Sequence, residues 1–157
     1  MISRDQHGLT LTELTLVMAI AAIVMIGIVT FYINSQGTWL DASSQALTQR
    51  DATLLLERMT AETRRANSAE VVSDPDTTHE QLVLSDLAGE RCRFYWSSSD
   101  SLVHLKQGAR DGPVTTSRVL RFELDTDHNA LVFLRALSME SPNQPVELAS
   151  TMALYNR

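Results

Sequence analysis

The pattern of apolar and polar residues divides the chain into three stretches. In the first, from Leu14 to Ile33, only Thr15, Thr30 and Tyr32 carry polar side-chain atoms, and no residue is charged. A helix of this length rises about 30 Å, which matches the hydrocarbon thickness of a bilayer. The pattern therefore predicts a transmembrane helix from Leu14 to Ile33.

The second stretch keeps the helical period but gains charged residues. Its apolar stripe consists of three leucines spaced by seven and three neighbours that widen it: Leu40, Leu47 and Leu54, then Leu55, Met59 and Ala66. Such a stripe is typical of an amphipathic helix that packs on another element. We therefore expect one helix from about Leu9 to about Ala69, with a membrane part in residues 9–36 and an amphipathic continuation in residues 37–72.

The third stretch, residues 73–157, changes to a period of two, which is the period of β-strands. It begins with a loop that contains Pro75, a residue that stops helices. Strand candidates follow, separated by turn residues: 81–86, 91–97, 102–107, 118–125, 130–137 and 146–155. Residues 108–116, which include Gly112 and Pro113, are predicted to be a longer loop.

Alternation is clearest in the fourth strand candidate, where Leu120, Phe122 and Leu124 are expected on one face. A sheet with one apolar face and a helix with one apolar stripe bury each other. Short strands joined by tight turns favour antiparallel pairing. The sequence therefore predicts an α+β fold, with a long N-terminal helix packed on a mostly antiparallel β-sheet that forms a globular head.

Charge and cysteine content narrow the function classes. The chain has 157 residues, a formal net charge of -6 and one cysteine, Cys92. An acidic domain argues against nucleic-acid binding, which depends on basic residues that neutralise phosphates. A single cysteine excludes an intrachain disulfide, so the chain carries no direct sign of an oxidising compartment.

The apolar stretch is better explained as a retained anchor than as a cleaved secretory signal. Arg4 is offset by Asp5 in the leader, and the apolar run exceeds the roughly 7–15 residues of a signal. Residues 27–37 also lack a convincing small-x-small cleavage site. A charged residue, Glu13, comes one position before the apolar run, where an unpaired carboxylate costs several kcal/mol.

The residues before this run carry a family resemblance. The sequence from Gly8 to Leu14, Gly-Leu-Thr-Leu-Thr-Glu-Leu, is followed by a continuous apolar helix. It resembles the N-terminal processing motif of type IV pilins and of type II secretion pseudopilins. The resemblance implies that prepilin peptidase cuts between Gly8 and Leu9, removes residues 1–8 and methylates the new amine of Leu9. The family motif differs from this chain in its usual Phe after the cut and its more basic leader.

The resemblance also gives Glu13 a role in assembly. It implies that the carboxylate of Glu13 pairs with the N-terminal amine of a neighbouring subunit and so sets the axial register of a filament. A carboxylate near a helix N-terminus also offsets the positive end of the helix dipole. The alternative is an ordinary anchor, in which Glu13 lies at the lipid interface without an assembly role.

Several further expectations follow from the family. They are a location in the bacterial inner membrane with a cytoplasmic N-terminus and an external, periplasmic head, followed by incorporation into a filament or its tip. The implied partners are prepilin peptidase, other pilin subunits, the inner-membrane assembly platform and the bilayer. The resemblance predicts a structural subunit and not an enzyme, without cofactor or metal.

The subtype rests on two departures from major pilins. A lone Cys92 cannot close a C-terminal disulfide loop, and the apolar helix contains no proline. With the β-rich head, these features resemble the minor pilins of the W type or the J-type minor pseudopilins. A major pilin is the alternative within the family. Outside it, the alternative is a membrane protein with an external ligand-binding or sensing domain.

Other candidate sites are weaker. The run from Asp125 to Asn129 begins like a calcium loop, but it lacks the glycine and glutamate that an EF-hand requires, so a hairpin turn is favoured. Cys92 lies between Arg91 and Arg93, which could lower the pKa of its thiol, yet its alternation with aromatic residues favours a place in the core. Contact of these two arginines with DNA is a further possibility, with solvated strand positions as the default. Trp39 is expected at the membrane interface.

Overall fold

The computed structural model describes residues 10–73, 80–127, 131–142 and 144–154. The chain divides into two compact units, residues 1–40 and residues 41–157. One helix, α1 (Leu11–Arg65), contributes to both units. The strands all belong to the second unit: β1 Ser68–Ser73, β2 Glu80–Asp86, β3 Gly89–Ser97, β4 Leu102–Gln107, β5 Arg110–Pro113, β6 Val119–Asp127, β7 Leu131–Met139 and β8 Val146–Ala153.

The strands form two antiparallel sheets. Sheet A has the order β1-β2-β3-β4-β5, and sheet B has the order β6-β7-β8, so that neighbours in sequence are neighbours in space. Two turns of sheet A use glycines with positive φ, Gly89 at 122° and Gly108 at 59°, a conformation that favours glycine. The predicted α+β class, with one long N-terminal helix and antiparallel strand pairing, is confirmed, but the strands form two sheets where the sequence predicted one.

The second part of α1 supplies one side of the core of the head. Leu55 and Met59 are fully buried, and they belong to one core cluster with Phe94 of sheet A and Phe122 of sheet B. Complete burial of such a side chain contributes roughly 1.5–3 kcal/mol. The helix and both sheets therefore share a single hydrophobic core.

The buried face of the helix is not the one that the leucine spacing predicted. Leu47 and Leu54 are 63% and 47% exposed, and Leu40, in the first unit, is also exposed. The buried positions recur every three or four residues instead and include polar side chains: Thr48, Asp51, Ala52, Leu55, Met59, Glu62 and Thr63. The prediction was wrong for Leu40, Leu47 and Leu54, whereas Leu55, Met59 and Ala66 of the same predicted stripe are buried. The buried face instead includes Asp51 and Glu62, whose carboxylates are bound by segments distant in sequence.

The helix also ends earlier than predicted. It stops at Arg65, and Ser68–Ser73 forms β1 and pairs with β2, although residues up to 72 were expected as helix and Ser73 as the start of a loop. The amide of Asn67 donates to the carbonyl of Ser85 (2.9 Å) and starts this pairing. Arginines in the last turn and an asparagine just beyond it are signals of a helix end, since cations suit the negative end of the dipole.

Asp51 ties α1 to the connection between the two sheets. Its Oδ2 accepts hydrogen bonds from the amides of Thr116 and Ser117, both at 2.7 Å, and from the hydroxyl of Thr116 at 3.2 Å. The same connection is held by the hydroxyl of Thr115, which accepts from the amide of Val103 (3.0 Å). A buried carboxylate is tolerated here because several donors replace its water.

Two register shifts interrupt the pairing of β6 with β7, and the first changes which residues of β6 face the core. The register of β6 against β7 shifts between Val119 and Arg121, so Val119 is buried and Leu120 is 55% exposed. The expectation that Leu120 shares a face with Phe122 and Leu124 was therefore wrong, because a bulge interrupts the alternation. A second shift between Glu123 and Leu124 lets the amide of Leu124 donate to Glu80 of β2.

One predicted loop is partly a strand. Arg110–Pro113 pairs with β4 as the edge strand β5, whereas residues 108–116 were expected to be a loop. Proline is compatible with a strand at a sheet edge, where its missing N–H breaks no ladder bond. Gly112 and Pro113 therefore belong to an edge strand of sheet A and not to an unpaired loop.

Candidate functional site

The candidate site begins at the first turn of α1. Thr10 immediately precedes the helix, and its carbonyl accepts the first helical hydrogen bond, from the amide of Leu14 (3.2 Å). The hydroxyl of Thr10 in turn accepts from the amide of Glu13, at 3.4 Å. These contacts make Thr10 the N-cap residue of the helix.

Glu13 completes the cap from the other side. Its Oε2 accepts hydrogen bonds from the amide of Thr10 and from the Thr10 hydroxyl, both at 2.9 Å. Reciprocal bonds between an N-cap Thr and a Glu three residues later form a capping box, which satisfies two amides that a helix start leaves open. Glu13 thus has a partner in its own chain, Thr10.

The sequence reasoning missed Thr10, although its signal is present in the sequence. Thr10-Leu11-Thr12-Glu13 has the pattern Ser/Thr-x-x-Glu just before an apolar run. From the sequence alone, Glu13 was assigned to the helix dipole, to a neighbouring subunit or to the lipid interface, and to no side chain of its own helix. Both hydrogen bonds fall on Oε2, and within the described residues Oε1 accepts none, so this oxygen remains open to a further donor.

The predicted cleavage residues, Gly8 and Leu9, lie outside the described residues. They come directly before Thr10 in the sequence. Cleavage between them would leave Leu9 as the only residue ahead of the capping box. The roles assigned to Gly8, Leu9 and Glu13 stay predictions.

The apolar part of α1 exposes its whole surface. Every residue from Leu14 to Ile33 is helical and exposed. Monomeric soluble proteins rarely expose contiguous apolar patches above a few hundred Å². By length and composition this part of α1 is able to cross a membrane.

Its few polar groups are satisfied within the helix. The hydroxyl of Thr15 donates to the carbonyl of Thr12 (2.9 Å), and that of Thr30 donates to the carbonyl of Ile26 (2.8 Å). Further along, the side-chain amide of Gln36 donates to the hydroxyl of Tyr32 at 2.6 Å. A helix in lipid requires such internal partners, because hydrocarbon offers none. Trp39 follows this region and is exposed, as an interfacial residue would be.

Cys92 lies in the core of the head. It is 1% exposed, and burial raises the pKa of its thiol to about 11, with a further contribution from nearby Glu62. The thiolate is the reactive form of cysteine, so this thiol is not activated by the neighbouring arginines. The structure thus agrees with the core position that the alternation favoured.

Arg91 turns towards the helix because of a bulge. The register of β2 against β3 shifts between Leu84 and Ser85 and leaves Arg91 without a partner in the ladder. Its Nε lies 3.3 Å from Oε2 of Glu62, a carboxylate that is 2% exposed. Arg58 approaches the other oxygen of Glu62 at 3.6 Å. Arg91 is therefore part of the attachment of α1 to sheet A.

Arg93 is paired on the surface. Its Nε and Nη2 donate to the two carboxylate oxygens of Glu90 at 3.1 and 2.9 Å, and this bidentate contact lowers the pKa of Glu90. Arg91 and Arg93 border a shallow depression of about 200 Å³ with Lys106. Since Glu62 and Glu90 offset their charges, the depression is a weaker anion site than the sequence suggested, and contact with DNA stays a prediction.

The calcium-like run is only partly described. Asp125 to Asp127 belong to β6, whereas His128 and Asn129 lie outside the described residues. Asp125 accepts hydrogen bonds from Arg135 and from the amide of Thr126. Among the residues that the structure describes, no group of three or more His, Cys, Asp or Glu is placed to hold a metal ion.

These features define a class of protein with two parts: an exposed apolar helix, Leu14–Ile33, called the stem below, and a β-rich head with its own hydrophobic core. Residues 3–29 match the family model of the prokaryotic N-terminal methylation motif. This prepilin-type motif supports the type IV pilin and pseudopilin family for this chain. A search of curated proteins and a search of solved structures each gave no match.

The motif and the stem together fit a pilin or pseudopilin subunit anchored in the inner membrane. They suggest a structural subunit rather than an enzyme. They also imply processing by prepilin peptidase and assembly with other pilin subunits.

Proposed function

We propose that the protein is a minor pilin or minor pseudopilin. Prepilin peptidase cleaves it between Gly8 and Leu9 and methylates Leu9, and the product joins the tip of a type IV pilus or of a type II secretion pseudopilus. The observation that carries this proposal is the prepilin-type motif at residues 3–29, which extends into a fully exposed apolar helix. An exposed surface of this kind requires lipid before assembly and other subunits afterwards.

The proposal divides the chain by role. Residues 1–8 are the leader, and residues 9–36 cross the membrane once, with the N-terminus in the cytoplasm, and then enter the filament core. The head lies on the periplasmic side. The lone Cys92 and the absence of proline before Pro75 support a minor subunit of the W or J type over a major pilin. The inner-membrane assembly platform is the expected site of incorporation.

In this proposal Glu13 links subunits. The amine of Leu9 that cleavage creates is a cation, and Oε1 of Glu13 is open to a donor while Oε2 holds the cap. An amine from a neighbouring subunit would remove the cost of moving this carboxylate away from water. The pairing would fix how far each subunit advances along the filament.

Mass spectrometry tests the processing step. In cells with prepilin peptidase, the mature chain should have lost residues 1–8 and gained one methyl group on Leu9. In cells without the peptidase, the chain should stay intact. An intact N-terminus in the presence of active peptidase would contradict the pilin assignment and favour a membrane protein with an external sensing or binding domain.

A substitution tests the assembly role. Glu13→Ala should insert into the membrane as the wild type does but fail to enter sheared filaments. Glu57→Ala is the matched control, because Glu57 is an exposed acid on the same helix. Filament incorporation of Glu13→Ala at the wild-type level would show that Glu13 does not set the register.

A further inference from the structure

Sheet B ends in an edge strand without the usual protection. Among the strands of the described residues, β8 pairs with β7 on one side and has no neighbour on the other. Over Val146–Ala153 it contains no Lys, Arg or Pro, and its only charge is Glu147. Edge strands usually carry such residues, or a bulge, because their open N–H and C=O groups invite pairing with another chain.

The bulge in this sheet does not protect β8. The register of β7 against β8 shifts between Leu134 and Leu137, whose partners are Ser150 and Leu148. Two residues of β7 are thus matched by one of β8, so the extra residue belongs to the inner strand. The edge strand itself stays regular along its eight residues.

Sheet A shows the contrast. Its edge strand β5 has four residues, of which Arg110, Asp111 and Pro113 each hinder pairing. Its other outer strand, β1, lies against β6 of sheet B. Among the described strands, β8 is therefore the one that offers a long and regular edge.

We propose that β8 pairs with β8 of a second copy of this chain. The strands run antiparallel about a two-fold axis and join two three-stranded sheets into one of six strands. Ala149 and Ser150 are the two central residues of β8, so a two-fold axis at either one pairs most of the strand with its copy. Directly opposed residues in such a pair point to the same face of the sheet.

The charges of β8 are compatible with pairing between two copies of the strand. With the axis at Ala149, Glu147 faces Thr151 of the second copy, and with the axis at Ser150 it faces Ala153 of the second copy. In neither register do two charges of the same sign meet, because each strand carries one charge near its beginning. Like charges directly opposite each other would oppose pairing.

Packing favours it as well. On the core-facing side of β8, Val146, Leu148 and Met152 are apolar and Ser150 is polar, and pairing places Met152 opposite Leu148 or Val146 of the second copy. A groove of about 410 Å³ runs beside residues 144–148, with Gln45, Gln49 and Thr53 of α1 as its other wall. This wall is uncharged, and Glu147 on the strand side is the one charged residue that lines the groove. Because Glu147 faces an uncharged residue in either register, an added strand brings no second charge beside it.

The contact depends only on the head, and it does not require cleavage at Gly8 or filament formation. Disulfide scanning of the full chain in membranes of producing cells tests it. The parent chain provides the background, because Cys92 is buried and its thiol pKa is raised. Opposed Cα atoms in an antiparallel pair are about 4.5–5.5 Å apart, which is within the range that a disulfide spans.

The pattern of cross-links identifies the symmetry. Either Ala149→Cys or Ser150→Cys alone should give a disulfide-linked dimer several-fold above Leu87→Cys, an exposed turn position that controls for random collision. Glu147→Cys alone should give none. Together with Thr151→Cys it should cross-link if the axis is at Ala149, and together with Ala153→Cys if the axis is at Ser150.

A second variant separates pairing from folding. For the axis at Ala149, adding Ala149→Lys to the Glu147→Cys/Thr151→Cys pair places two lysines opposite each other. For the axis at Ser150, adding Ala153→Glu to Ser150→Cys places this glutamate opposite Glu147 of the second copy. Each change should abolish the dimer without lowering the thermal stability of the full chain in detergent, because Ala149 and Ala153 are exposed, whereas Leu87→Lys should leave the dimer intact. The proposal is overturned if every single cysteine cross-links equally, if none exceeds the Leu87→Cys level, or if Ser150→Cys and Ala149→Cys link only to a different protein.

Discussion

The two parts of α1 satisfy their polar side chains in opposite ways. In the stem, Thr15 and Thr30 donate to carbonyls three and four residues earlier in the same helix. In the head, Asp51 binds amides 65 and 66 residues away, and Glu62 binds an arginine 29 residues away. The hydroxyls of the first part have their hydrogen-bond partners within the helix itself, whereas the carboxylates of the second part have theirs in segments outside the helix. The head therefore depends on long-range contacts to satisfy these groups, whereas the stem satisfies its hydroxyls without any.

The largest expected effect compares two adjacent leucines on the head part of α1. Leu55→Ala should lower the free energy of unfolding by about 2–5 kcal/mol, because it leaves a cavity in the core. Leu54→Ala should change it by less than about 0.5 kcal/mol, since Leu54 is half-exposed. Denaturant unfolding of the full chain in detergent measures both. Equal losses would mean that the leucine stripe faces the core after all.

Asp51→Ala should have the next largest effect. It leaves the amides of Thr116 and Ser117 without an acceptor, at a cost of about 2–4 kcal/mol in the free energy of unfolding. The same denaturant measurement applies, with Glu57→Ala as the exposed control. If Asp51→Ala were as stable as Glu57→Ala, the connection between the sheets would not depend on the helix.

A smaller and local effect is expected at the start of the stem. Thr10→Ala should weaken the first turn of α1 by about 1 kcal/mol, because it removes the N-cap hydroxyl. Hydrogen exchange should become faster for the amides of the first turn and stay unchanged in the head. Thr10→Ser should behave like the wild type. Faster exchange in the head as well would show that the two parts of α1 are coupled.

The smallest effect concerns acid stability of the exposed turn before β4. The hydrogen bond from His104 (2.8 Å) lowers the pKa of Asp100. A carboxyl with a lowered folded-state pKa stabilises the fold above its unfolded pKa, about 3.9, and this contribution disappears as pH falls through the lower folded value. Asp100→Asn should therefore lose less stability on acidification below about pH 4 than the wild type. Thermal unfolding at several pH values tests this, with Glu57→Gln as control.

The sequence contained most of the architecture because side-chain period follows secondary structure. The strand predicted at 102–107 matches Leu102–Gln107 at both ends, and the apolar stretch is helical throughout. Periodicity did not reveal which face of α1 is buried. That face contains Asp51 and Glu62, which are acceptable in a core only because donors from distant segments reach them.

Bulges and local signals account for the remaining differences. The exposure of Leu120 depends on a register shift with β7, which alternation along one strand does not contain. By contrast, the capping box and the early end of the helix were present in the sequence as Thr10-x-x-Glu13 and as Arg64-Arg65 before Asn67. These short signals were outweighed by the longer helical pattern around them.

The closed hydrogen bonding of the stem has a consequence for its movement. A helix whose hydroxyls already bond to its own carbonyls exchanges no polar partner when its surroundings change from lipid tails to packed neighbouring helices. Both surroundings are apolar, so the transfer has little driving force in either direction. In the proposed filament, the direction of movement would then be set by the head, by the N-terminal charge pair and by the work of the assembly machine. The same balance would allow a subunit to return to the membrane when that work stops.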